Sequence, residues 1–200
     1  MIQTESGTVY GQRFLRKDIG VAIVVLVALA LGLALRMQVT TRTTTFQDKG
    51  TAFSITYPAT WGSVELLQSA LLKAEDPQTN SVYKTNLAVE SRDLDLQNPP
   101  TLQDLVDRRV AQRGVLTGYH FLSSNPATVG GAKAMRQEYA YTVQPIDQPR
   151  RASLPVVVHA IEYVVLGKES VFYITLAAPE VEFTDARAQM NQIIQTVTLL

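Results

Sequence analysis

The pattern of apolar and polar positions changes character along the chain. Residues 19–35, "IGVAIVVLVALALGLAL", contain no charged or strongly polar side chain. As a helix rising about 1.5 Å per residue they extend roughly 25 Å, enough to cross a hydrocarbon core once Lys17 and Arg36 reach toward the headgroups. Core helices of soluble domains keep a polar face, and this run has none. The pattern predicts a single transmembrane helix at 19–35 after a short cytoplasmic stretch, 1–18. A cleaved signal peptide is the rival reading, because Ala28-Leu29-Ala30 has the small-x-small form of a cleavage site. That triplet lies inside the apolar run instead of after it, which favours an uncleaved anchor. Arg13, Arg16 and Lys17 crowd one flank while Arg36 and Arg42 are spread over the other, a bias that leaves the N-terminus in the cytoplasm and the C-terminal domain extracytoplasmic. Ala28 and Gly32 form a small-xxx-small pair on one face of the helix. Residues 36–45, ending in "TTRTTT", are expected to be a tether, and 46–200 a domain.

Beyond the tether the period shortens to two. Phe53, Ile55 and Tyr57 alternate with Ser54 and Thr56, a strand with one face in a core. Pro58 ends it, having no N–H to donate. Trp61, the chain's one tryptophan, follows that turn and is expected to fold over the sheet end as part of a structural corner with Tyr57 and Pro58. "SALLKAEDP" and "SVYKTNLAVESRD" read as two antiparallel strands separated by turn-rich "PQTN". After Pro99-Pro100, "TLQDLVDRRVAQRG" opens on a Thr101 cap and closes at Gly114, with Leu102, Leu105, Val106 and Val110 on one stripe. Two hairpins follow, one turning at Gly130-Gly131 and one at Gly167-Lys168; the second, strongly β-branched, is expected to hold the most buried strands. After Pro179, Phe183, Ala186, Met190, Ile193, Ile194 and Val197 recur at helical spacing. Hairpins with one helix between them and one at the end predict an α+β domain, an antiparallel sheet with helices packed over it.

Composition narrows the function classes. Eighteen basic and eighteen acidic residues cancel, so the field that gathers nucleic acid is absent. Without cysteine the chain has neither disulfides nor thiolate metal sites nor a cysteine nucleophile. His120 and His159, the two histidines, lie on expected strands without a second ligand at metal spacing in the sequence, and read as structural or surface residues. Asp93 and Asp95 lack the glycine turn and downstream glutamate of an organised calcium loop. No nucleophile elbow, P-loop or dinucleotide turn occurs, so no cofactor is expected. An enzyme would need unmotified carboxylates such as Glu138 and Glu162, for which exposed alternating strand positions are the simpler account. Asp107, Arg108, Arg109 and Arg113 read as the wet face of their helix. "QPIDQPRRAS", residues 144–153, is a proline-bounded loop whose Asp147, Arg150 and Arg151 are the candidate partner-binding residues.

The order "GTAFSITYPATW", "AEDPQTNSVYKTNLAVES", "TLQDLVDRRV", "VGGAKAMRQEYAYT" and "VFYITLAAPEVEFTDARAQMNQIIQTVTL" resembles the PsbP family. Its pattern is a strand ending Tyr-Pro-x-x-Trp, a Gly before a strand ending Glu-Tyr, and an Ala-Pro-Glu corner into the last helix. The resemblance covers residues 44–200. It implies the αβα sandwich shared by PsbP, Mog-type and LpqN proteins, and mostly non-enzymatic work: an accessory module that assists or stabilises a membrane complex. The chain departs from PsbP itself by keeping a membrane anchor. Two other classes compete with an accessory module, a carrier or receptor for a lipid-like or glycan ligand and a hydrolase with an unrecognised carboxylate site. A deep apolar cavity would favour the carrier, and carboxylates converging in a cleft the hydrolase.

Overall fold

The computed structural model describes residues 16–64, 70–144 and 154–199, and the chain divides into two compact units, Met1–Thr41 and Arg42–Leu200. The first unit is the helix α1, Arg16–Thr40, in which Ile19–Gln38 is long and apolar enough to cross a membrane and has no residue buried. This matches an even distribution of apolar side chains around the helix, which gives a soluble core nothing to select.

The second unit begins with β1 (Thr43–Asp48) and β2 (Phe53–Pro58), antiparallel with Thr43 opposite Pro58. β1 takes in residues 43–45 of the expected tether. The Asp48 carboxylate closes the turn by accepting from the Thr51 amide at 2.9 Å and the Thr51 hydroxyl at 2.6 Å, which holds it below the usual carboxylate range. Then come β3 (Gly62–Ser63), β4 (Ala70–Glu75) and β5 (Asn86–Asp93), followed by the helix α2 (Leu102–Arg113). Thr101 caps α2 reciprocally with Asp104, satisfying two otherwise orphan amides. The long strands β6 (His120–Val129), β7 (Ala132–Val143), β8 (Val156–Leu166) and β9 (Ser170–Pro179) lead through a 3-10 turn at Glu180–Glu182 into α3 (Phe183–Gln195) and a last short strand, β10 (Thr198–Leu199).

These strands form two sheets, β1-β2-β10 and β3-β4-β5-β9-β8-β7-β6, with every pairing antiparallel. The β6–β7 turn shows why glycine is needed there: Gly130 and Gly131 have φ of 56° and 81°, both positive as a two-residue turn of this hand requires. A Cβ on Gly130 would also lie 3.0 Å from the Val197 carbonyl.

The seven-stranded sheet is covered on both faces. On one side the small sheet and α3 bury a cluster in which Phe53, Ile55, Leu87, Ile161, Ile174 and Met190 are wholly inaccessible. Phe53 stacks on Phe172 with ring centroids 4.9 Å apart. Trp61 is 5% exposed in this cluster, and its amide donates to the Pro58 carbonyl at 3.1 Å, which forms the turn out of β2. On the other side α2 lays Leu105 and Val106 against Val164, Val171 and Tyr173. Since β8 and β9 sit between two layers, they read as nearly continuous apolar runs and lack alternation. The layer opposite α2 is helix and sheet together, because the β1–β2 hairpin pairs with β10 and not with the large sheet.

Candidate functional site

The polar groups that converge most closely lie under α2. Glu162 sits in the middle of β8 with its side chain fully buried, on the face shared with Val164. Its Oε1 accepts from Arg109 Nε at 2.9 Å, from Arg113 at 2.9 Å and from the Thr175 hydroxyl at 2.8 Å. The Arg109 guanidinium also forks onto Glu90 of β5, at 2.7 Å and 3.1 Å to its two oxygens. This planar, bidentate geometry is available to arginine and not to lysine. The same guanidinium lies 4.4 Å from the centroid of the Tyr173 ring. Two arginines and two glutamates make the cluster formally neutral. Burial pushes the Glu162 carboxyl up, but Arg113 and Arg109 outweigh it and hold the group below the usual carboxylate range. For Arg109, burial acts against the charge, while Glu90 and Glu162 more than compensate and raise its value.

Two expectations are corrected here. Glu162 is not an exposed strand position, and Arg109 and Arg113 do not belong to the wet face of α2; Arg109 is 3% exposed. The signals were present in the sequence. Positions 109 and 113 continue the stripe 102, 105, 106 by steps of three and four, and Glu162 interrupts a run whose lack of alternation already meant burial on both faces. Glu138 is largely covered as well, paired with Arg136 and, at 2.9 Å, with Arg187 of α3. His159 does have a carboxylate neighbour, which the fold supplies: its Nδ1 lies 2.9 Å from Glu180, and its ring stacks on Phe183 at 3.7 Å. His120 is exposed.

A tyrosine group continues the α2 face toward the start of β8. The hydroxyls of Tyr83 and Tyr141 are 2.8 Å apart, and Asn86 donates to Tyr83 at 3.0 Å. The Tyr139 ring lies between those of Tyr119 and Tyr141, at 5.6 Å and 6.1 Å. Burial, with Glu162 nearby, pushes the Tyr139 hydroxyl well above its ordinary value, so it stays protonated.

Two open grooves flank these layers. One, of about 360 Å³, lies between β5 and the start of α2 and contains Asp93, Asp95, Asp104, Arg92 and Arg108. Asp95 is engaged by the Gln97 and Asn98 amides at 3.0 Å and 3.3 Å, and Asp104 by Thr101 at 2.9 Å. The other, of about 560 Å³, is walled by the turns around Gly50, Gly130 and Gly167, with Phe172 and Leu199 below and Lys168 and Glu169 at the side. Among the described residues no three histidine or acidic side chains are grouped to hold a metal ion. Asp147, Arg150 and Arg151 lie outside the described residues.

No sequence-family model matches the chain, and no curated protein matches it. Solved structures do. The cyanobacterial PsbP (CyanoP) of Synechocystis sp. PCC 6803 superposes with a TM-score of 0.58 at 11% identity, covering 79% of this chain and 92% of that one. The domain has the PsbP-like fold. LpqN of Mycobacterium tuberculosis, a protein involved in cell envelope biogenesis, superposes with a TM-score of 0.53 at 15% identity over 79% of this chain and 90% of its own. A structure from Bacteroides thetaiotaomicron reaches a TM-score of 0.51 at 12% identity, covering 78% of this chain and 48% of that chain. At such identities the PsbP-like domain shares a backbone with these proteins, and its polar residues have to be read on their own terms.

Proposed function

We propose that this chain is a membrane-anchored, extracytoplasmic, non-enzymatic accessory or binding module that assists or stabilises a protein complex of a bacterial-type membrane. The observation that carries the reading is the closed ionic cluster. Glu90 and Glu162 are neutralised by Arg109 and Arg113 beneath α2, while the aspartates of the 360 Å³ groove share it with Arg92 and Arg108, and two of them, Asp95 and Asp104, are held by the amides of their own turns. Such a group fixes how helix and sheet pack, and it withdraws Glu90 and Glu162 from acid–base work on a substrate. The exposed apolar helix fits an anchor, and likeness in fold to LpqN, a protein of cell envelope biogenesis, supports a role at an envelope. Asp147, Arg150 and Arg151 are proposed as partner contacts, because paired arginines suit an acidic surface.

The runner-up is a carrier for a small lipid-like or glycan ligand, for which the 560 Å³ groove is the place to look. Its lining of glycine backbone and charged side chains differs from the deep apolar cavity that a lipid carrier uses. Affinity capture of the full chain from native membranes in mild detergent, followed by mass spectrometry, tests the proposal. A stoichiometric membrane-complex partner supports the accessory reading. Recovery of the chain alone, or with a bound small molecule, contradicts it.

A further inference from the structure

The row of side chains that carries Glu162 runs on toward the edge of the large sheet. Register places Ser124 of β6 opposite Gln137 of β7, Gln137 opposite Glu162, and Glu162 opposite Thr175 of β9. Directly opposed residues of antiparallel strands point to one face with Cβ atoms about 4.5–5.5 Å apart, so all four stand on the α2 side of the sheet. The neighbouring rows are apolar or aromatic: Met135, Val164 and Tyr173 on one side, Tyr139, Ala160 and Ala177 on the other. A polar strip therefore crosses a covered face, with Gln137 2% exposed and Glu162 fully buried.

Hydrogen bonding within the strip is one-sided. Glu162 Oε1 accepts from Arg109, Arg113 and Thr175. Its Oε2 is buried and has no partner among the described residues, and the same holds for Gln137 Nε2, Ser124 Oγ and Arg113 Nε. Among the described residues one further buried side-chain atom is in this condition, His159 Nε2 on the opposite face, so the four form a concentration and not a scatter. Arg113 belongs with them because it lies 2.9 Å from Glu162 Oε1 and its guanidinium carbon is 5.9 Å from the centroid of the Tyr139 ring, two positions along β7 from Gln137.

Buried polar groups are nearly always paired, either with the chain or with ordered water. Valence identifies the partner that suits all four atoms. Arg113 Nε and Gln137 Nε2 donate, Glu162 Oε2 accepts, and the Ser124 hydroxyl does either. A direct bond from Gln137 to Glu162 would satisfy two of them and leave Arg113 and Ser124 unserved. Arginine opposes a cation at this place, and Glu162 opposes an anion. Water accepts two hydrogen bonds and donates two, which matches the set. We infer that the strip binds internal water, bridging Arg113 Nε, Gln137 Nε2 and Glu162 Oε2, with Ser124 linking it to β6. Because β6 is the last strand of the sheet, the ionic cluster under α2 continues as a hydrated strip to the sheet edge.

The test is a crystal structure of the full chain, solubilised in mild detergent, at a resolution that shows ordered waters. The expected result is a single-water peak about 2.7–3.2 Å from Arg113 Nε, Gln137 Nε2 and Glu162 Oε2. A Gln137 amide bonded directly to the Glu162 carboxylate, with no peak beside Arg113 Nε, overturns the inference. Density too large for water also overturns it, by marking a different ligand. Gln137→Leu replaces the amide with an apolar side chain of similar size and is expected to abolish the peak. A peak that keeps its contacts to Arg113 and Glu162 in that variant overturns the bridging role of Gln137. The parent structure alone decides the inference should the variant fail to fold.

Discussion

Replacing Glu162 by glutamine keeps the shape of the side chain and removes its charge. Arg109 and Arg113 would then share Glu90 alone, leaving one buried positive charge uncompensated next to Tyr173 and Tyr139. Breaking a buried ion pair from one side costs about 3–5 kcal/mol. For a domain of this size that corresponds to a fall in melting temperature of roughly 6–20 °C. The fragment starting at Arg42 is suitable for the measurement, because the core side chains on both faces come from Phe46 onward. The double variant Arg109→Met with Glu162→Met provides the control. It removes both charges together, leaves Arg113 within 3.7 Å of Glu90, and is expected to recover most of the loss, as hydrophobic replacement of buried pairs does. A single Glu162→Gln variant within about half a kcal/mol of the parent by urea denaturation would refute the buried cluster, since that is the range of surface substitutions.

The same cluster sets an acid dependence. With the folded value of Glu162 below that of the unfolded chain, its stabilisation is complete above about pH 4.3 and is lost as pH falls through the folded value; Glu162→Gln should flatten the stability profile in that acid range. Trp61→Ala should cost about 3–5 kcal/mol in denaturant, as truncation of a buried aromatic does, and a variant as stable as the parent would show the indole to be exposed. Gly130→Ala, at a φ of 56° and against the Val197 carbonyl, should cost upward of about 1 kcal/mol by the same assay. Arg150→Ala with Arg151→Ala should leave stability within about half a kcal/mol and weaken recovery of a partner in affinity capture.

Much of the fold was legible because its signals are local. The Thr101 cap, the Gly130-Gly131 pair and the alternation 53-55-57 each specify backbone geometry within a few residues, and each appears as read. The pairing of β2 with β1 and β10, which makes a second sheet, was not legible: an alternating strand states that one face is buried but not against which layer. Polar side chains were hardest for the same reason. Arg109 and Glu162 are 53 positions apart, and a charge reads as surface unless its partner can be seen. Glu180 lies 21 positions beyond His159 and meets it only because β8 and β9 pair with Pro179 opposite Val158. Where periodicity and charge disagreed, at positions 109, 113 and 162, periodicity was the better guide, since backbone geometry fixes direction and leaves the side chain to find a partner.

The account rests on an anchor that stays attached and on a domain outside the cytoplasm. Protease added to intact spheroplasts, followed by N-terminal and C-terminal detection of the chain, examines both. Digestion of the domain beyond Arg36 while the stretch before Asp18 survives in the membrane is the expected result. Protection of the domain would reverse the topology, and a membrane-free mature form beginning near Leu31 would show that α1 is a signal peptide.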